Sequence, residues 1–460
     1  MVTGLISYWA RRASLAGAQS SVHPANTPSN FGVLLFPAQR GIGLANTACT
    51  PRTLRGKVPG VQDEVFMRTG LINSITEVEA SLWQQLWATD YPFIQHDFMA
   101  LLEDSKCVGG RSGWTPRHIL IWQEDRLVAA MPGFIKTHSY GEYVFDWSWA
   151  DAYGRHGLEY YPKWINAMPF TPATGPRLAI APGADGAAVM QALNEAWQEL
   201  LKQGAHSLHS LFPDNASLPR LPAAWHTRWG CQYHWFNNGF RDWQDFLAQC
   251  NSRKRKMMVK ERQKVQALNL TIAVKSGTEL TGEDWQAFYG LYQNTYAKRS
   301  GRPGYLTQDF FTGLQAILPG QIHRVDVSRS GQLIAAALYF SDGETLYGRY
   351  WGCSEEHDGL HFEACYYQGI ELAIKLGLKR FDPGAQGEHK IARGFTPVLT
   401  CSKHLLAHAG FHEAVGEFCR EEQMGIERYI QSARQALPFK EGYVCVEPGI
   451  LQKNKSEIIY

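Results

Sequence analysis

The densest run of reactive side chains is Phe381-Asp-Pro-Gly-Ala-Gln-Gly-Glu-His-Lys-Ile-Ala-Arg-Gly-Phe395. Glu388, His389 and Asp382 are its candidate catalytic residues, because a carboxylate or imidazole can take a proton from an attacking amine. Lys390 and Arg393 could hold a phosphate or carboxylate. Backbone N–H groups around Gly384 and Gly387 could face a developing oxyanion. The bland alternative is a solvated turn whose charges pair among themselves. A second group comprises Arg349, Trp351, His361, Glu363 and Tyr366. An arginine set among strand aromatics needs a carboxylate, and Glu363 and Asp382 are the two on offer. His361 and Glu363 lack a third ligand at useful spacing, so no metal is expected. With Gln386, these residues are expected to line a substrate site beside the loop.

Further upstream, Lys136-Thr-His-Ser-Tyr-Gly-Glu142 is followed by Asp146, Trp147, Trp149 and Asp151. Carboxylates interleaved with aromatics suit an amine-bearing or sugar-like ligand. Lys136, His138, Tyr140, Asp146, Trp147 and Asp151 are therefore substrate-binding candidates, weighed against ordinary core aromatics. The run Ser252-Arg-Lys-Arg-Lys256 continues to Lys264. On a helix Arg253, Lys256, Lys260 and Lys264 share one face, either a phosphate-binding surface or a solvated one. His404, His408 and His412 are spaced like a helical stripe and read as core or surface histidines rather than as ligands.

The elements that must position these groups occur twice. One copy is His118–Trp122, a polar turn, Leu127–Phe134 and an aromatic run Glu142–Trp149. The other is His323–Val327, a turn, Leu333–Phe340 and the aromatic run Thr345–Trp351. Each reads as a three-stranded meander. In each, an amphipathic helix (Ala187–Lys202, Phe362–Leu376) follows, closed by Gly204 or Gly377, and then another strand. Helices also precede each meander, at Glu77–Thr89 with His96–Asp104, and at Gly282–Lys298 with Thr307–Ile317. This order predicts two related α/β domains, over 67–238 and 239–440, with a tail over 441–460.

Composition narrows the field. The 460 residues carry 45 Lys+Arg against 43 Asp+Glu, a net of +2. Near-neutral charge argues against broad non-specific nucleic-acid binding. The 15 Trp, 20 Tyr and 22 Phe require a packed interior rather than general disorder. No apolar run reaches the length of a spanning helix, so no integral membrane segment is expected. Nine cysteines without a C-x-x-C pair suggest reduced thiols and a cytoplasmic setting. Residues 1–66 hold six Arg and Lys and no acid before Asp63. They read as an unstructured leader or as sequence upstream of a start at Met67, with an organelle transit peptide as the alternative.

Lys136–Tyr153, Ser252–Glu261 and Phe381–Phe395 together resemble predicted GNAT-type N-acyltransferases grouped with the Fem-like peptidoglycan-bridge aminoacyltransferases. The likeness spans about residues 70–440. It implies two tandem GNAT-like domains, each a mixed, mostly antiparallel sheet flanked by helices. It also implies acyl or aminoacyl transfer to an amine acceptor such as a cell-wall precursor. Acyl-CoA or aminoacyl-tRNA would be a co-substrate, with no tightly bound cofactor, and tRNA a partner. Arg253, Lys256, Lys390 and Arg393 would then hold donor phosphates. Neither helix after a meander opens with the R/Q-x-x-G-x-G/A motif; Pro182–Gly186 and His357–His361 stand there instead. A non-catalytic recognition protein on the same fold is the competing expectation.

Overall fold

The computed structural model describes residues 66–385, 387–449 and 451. The leader and Gln386 therefore lie outside the described residues. The first half supplies strands β1 (Met67–Ile72), β2 (Trp114–Pro116), β3 (His118–Gln123), β4 (Arg126–Met131), β5 (Phe134–Lys136), β6 (Lys163–Asn166), β7 (Ala179–Ile180), β8 (Ser207–Leu211) and β9 (His226–Phe236). The second supplies β10 (Thr271–Ser276), β11 (Ile322–Arg329), β12 (Gln332–Ser341), β13 (Thr345–Cys353), β14 (Arg380–Asp382) and β15 (Thr396–Leu406).

Both repeat hairpins form, with the same irregularity. In the first, Trp122 faces Leu127 and Ile121 faces Ala129, leaving Val128 as the extra residue of a bulge. In the second, Ser328 faces Leu333 and Val327 faces Ala335, leaving Ile334. A bulge at the same place in both copies re-aims the strands in the same way. The helix Gly186–Lys202 starts where Asp185 accepts from the N–H groups of Ala187 and Ala188, and it buries Val189, Leu193, Trp197 and Leu200. Its counterpart runs from Leu360 to Lys375 but contains a π-helical turn at Glu363–Tyr367.

The third strand of the first meander is not the aromatic run Glu142–Trp149. That segment leads into a helix, Trp147–Arg155, and the strand is β6. The reason is where the side chains go. Trp149 and Tyr153, spaced i and i+4, are both buried, a helical rather than an alternating pattern.

The strands form a four-stranded sheet, β1-β3-β4-β7, and an eleven-stranded sheet, β10-β11-β12-β13-β14-β9-β15-β8-β6-β5-β2. The larger sheet is antiparallel except at β13/β14 and β6/β8. β4 and β5 belong to different sheets, and the break falls at Pro132-Gly133. A Cβ on Gly133 would lie 2.3 Å from the Trp164 ring, so only glycine lets that indole seat there. β9, on the first-half side of the expected 238/239 boundary, runs between β14 and β15 of the second half. The halves also share a core: Phe93 packs edge-on against Phe340 and Tyr347, each at 5.3 Å between ring centres. Among the described residues no helix is long and apolar enough to cross a membrane.

Candidate active site

β13 and β14 pair over only three positions, ending at Tyr347–Asp382. Beyond that point β13 continues to Cys353 while the other chain turns away at Pro383. In open α/β sheets, strand ends that part in this way form a natural ligand crevice. On its other side β13 carries a bulge: Tyr339 faces Gly348 and Leu338 faces Tyr350, so Arg349 is the extra residue. Its guanidinium stacks over Phe93 and Tyr347, both at 5.4 Å. It also donates from Nη2 to Asp382 Oδ2 at 2.9 Å.

Of the two carboxylates expected for Arg349, Asp382 is thus the partner. Glu363 instead accepts from Arg262 of the helix Ser252–Gln266 at 2.9 Å. Gly384 N–H donates to Asp382 Oδ1 at 2.9 Å, and His234 Nε2 lies 3.8 Å from the same oxygen. Burial pushes the Asp382 carboxyl up, but Arg349 and His234 outweigh it and hold the pKa at about 2. Lys390 is buried and donates from Nζ to Gly384 O at 2.7 Å. Burial drives its ammonium down to about 7, against the pull of Asp382. His234 Nδ1 and Arg349 Nε are buried with no hydrogen-bond partner among the described residues.

Above this buried layer lies a half-open one. His389 Nε2 is 2.9 Å from Tyr366 Oη. Burial, then the charges of Lys390 and Arg393, lower its pKa to about 4. His361 packs edge-on against both Trp351 at 5.5 Å and Tyr366 at 5.3 Å, and burial holds it near 3. Glu388 is exposed and accepts from Tyr429 Oη at 3.0 Å. Arg393, expected to bind phosphate, has its guanidinium against Glu261 at 2.8 Å and stacked 3.6 Å over Phe362. Arg253 and Lys256 are exposed on the basic helix.

The first-half candidates form a separate buried cluster. Lys136 has its ammonium 4.1 Å over the Trp114 ring and donates to Tyr140 O at 3.1 Å. Burial lowers it to about 7, against the pull of Glu142. Asp146 accepts from Lys163 and, at 2.6 Å, from Tyr160 Oη. Glu142 Oε2 accepts from Lys163 Nζ at 2.8 Å. Burial lifts Glu142 to about 7 despite Lys163, whereas the Lys163 ammonium holds Asp146 near 2 against its own burial. His138 accepts the Tyr140 N–H at 3.2 Å. Tyr140 and Trp147 are about two-fifths exposed, with rings 5.0 Å apart. Asp151 is exposed on the helix Trp147–Arg155.

Sequence reasoning missed His234, which reaches the site only because β9 lies beside β14. It also missed Lys163, although a lysine opening an apolar strand signals buried carboxylate partners. The three histidines do not share a helix face: His404 is on β15, His408 caps the helix Ala409–Gln435, and His412 lies in its first turn. Among the described residues no group of three or more His, Cys, Asp or Glu could hold a metal ion.

Two α/β halves with matching bulged hairpins, and one parallel strand pair that diverges beside a polar loop, make up the fold and the site. The chain belongs to the FemAB_like family, described as peptidoglycan biosynthesis/recognition, whose model matches residues 74–441. Similar solved structures include FemX, at 11% identity and a TM-score of 0.45, covering 76% of this chain and 100% of that one. L-PGS from Bacillus licheniformis is 10% identical with a TM-score of 0.41, covering 69% and 92%. A tandem GNAT protein from the clavulanic acid biosynthesis pathway is 10% identical with a TM-score of 0.39, covering 75% and 99%. No curated protein matches the chain.

Proposed function

We propose that this protein transfers an acyl or aminoacyl group from a CoA thioester or aminoacyl-tRNA to an amine acceptor. A cell-wall precursor is the acceptor class that family membership favours. The observation that carries this reading is the divergence of β13 and β14, where the side chains of Arg349, Asp382 and Lys390 are buried under a loop bearing exposed Glu388 and His389. The acceptor amine gives a proton to Glu388 or His389. Its lone pair forms the new N–C bond, the donor's C–S or C–O bond breaks, and the leaving group takes up a proton. The bulged backbone at Arg349, out of the ladder, supports stabilisation of the carbonyl oxygen. The eight described cysteines form no disulfide with one another, which fits a reducing cytoplasm.

Glu388→Gln and His389→Ala, assayed with labelled acyl-CoA and aminoacyl-tRNA, test the assignment. At least one is expected to lose about a hundredfold in rate, and wild-type rates in both would overturn it. The family's description also names recognition, and Arg393 and Glu363 are committed to internal ion pairs. A non-catalytic binder of glycopeptides is therefore the second reading. Thermal stabilisation by donors favours transfer; stabilisation by glycopeptides alone favours recognition.

A further inference from the structure

A cavity of about 500 Å³ lies between the segments Lys106–Ser112 and Pro303–Tyr305. One wall is the glycine-rich turn Cys107-Val-Gly-Gly-Arg-Ser-Gly113. The other ends in Tyr305, whose ring stacks on Phe170 at 5.0 Å and 14°. The walls are held together beneath the opening: Thr307 Oγ1 donates to Ser105 O at 3.0 Å, and Thr307 N–H to Cys107 Sγ at 3.4 Å.

Three features define its chemistry. Lys106 and Arg111 line the cavity, and no Asp or Glu is among the lining residues. The turn runs through Gly109 and Gly110 at φ +82° and +54°, and the N–H groups of Gly110 and Arg111 donate to no other group among the described residues. Two non-glycine residues, Lys106 at φ +61° and Phe170 at φ +57°, hold left-handed backbone on opposite sides of the opening. Strain of that kind persists where the surroundings enforce it, and it concentrates at ligand clamps. The Lys106 and Arg111 cations select an oxyanion, and the Phe170–Tyr305 plate selects a flat ring.

We propose that this cavity binds an oxyanion carried on a planar ring, as an aromatic phosphate or an aromatic carboxylate. Titration calorimetry on the full chain, with phenyl phosphate, benzoate and inorganic phosphate, tests it. One ring-bearing anion is expected to bind at least tenfold more tightly than inorganic phosphate, and which one identifies the oxyanion. Arg111→Glu and Tyr305→Ala, both on exposed side chains, should each weaken it about tenfold while melting as the wild type does. Three results would overturn the site: no binding of either ring at about 10 mM, equal binding of inorganic phosphate, or unchanged affinity in both variants. Binding is read without any transfer step, so its failure leaves the reaction at Glu388 and His389 standing.

Discussion

Lys390 places a primary amine in the interior with two carbonyls and the Tyr366 ring for company. Its ammonium titrates at about 7 rather than the ordinary 10.5. Between those values the unfolded chain holds a proton that the folded chain lacks, so the native state gains stability as pH rises. Below pH 7 both states are protonated and the effect is flat. Lys390→Met removes the titration. Wild type should therefore gain on the variant by up to about 1.4 kcal/mol per pH unit from neutral pH upward. Urea denaturation at pH 6, 7.5 and 9 measures this, and parallel stability curves would refute it. At this scale the sequence was partly legible. An arginine amid strand aromatics announced its need for Asp382 or Glu363. The choice between them depends on register, because β14 stops directly across from Tyr347 and brings Asp382 within reach, whereas Glu363 faces the basic helix.

Among elements, the second helix is the more informative. Its π turn places the Ala364 carbonyl where Tyr339 Oη donates to it from β12. That bond satisfies a carbonyl the widened turn leaves over. Tyr339→Phe should lose about 1–2 kcal/mol of stability and speed amide exchange over Glu363–Gln368. Unchanged exchange there would mean the hydroxyl is not what holds the turn. Apolar spacing located this helix and its glycine stop, but it carries no mark of a single added residue inside one turn. The same limit explains the aromatic run after Lys136. Trp147 and Trp149 suit a strand locally, and only the burial of Trp149 together with Tyr153 makes the segment helical.

At the scale of the whole molecule, the repeated hairpin and the mixed sheets were legible because each rests on local pattern. The weaving of the halves was not, since pairing between distant strands leaves no local trace. β15 runs beside both β9 and β8, so a second-half strand completes the first half's sheet. Residues 66–238 and 239–451 expressed apart should each remain without near-ultraviolet dichroism, and their co-expression should restore it. A folded fragment on its own would contradict this. The order of synthesis matters for the same reason. β9 leaves the ribosome roughly 170 residues before β15 is finished, a wait of about 10–35 s at about 5–20 residues per second. Through that interval β8 and β9 present unpaired edges to the cell. The nascent chain is thus a client for chaperones until β15 has emerged, and slowing synthesis past Phe236 should cost soluble yield.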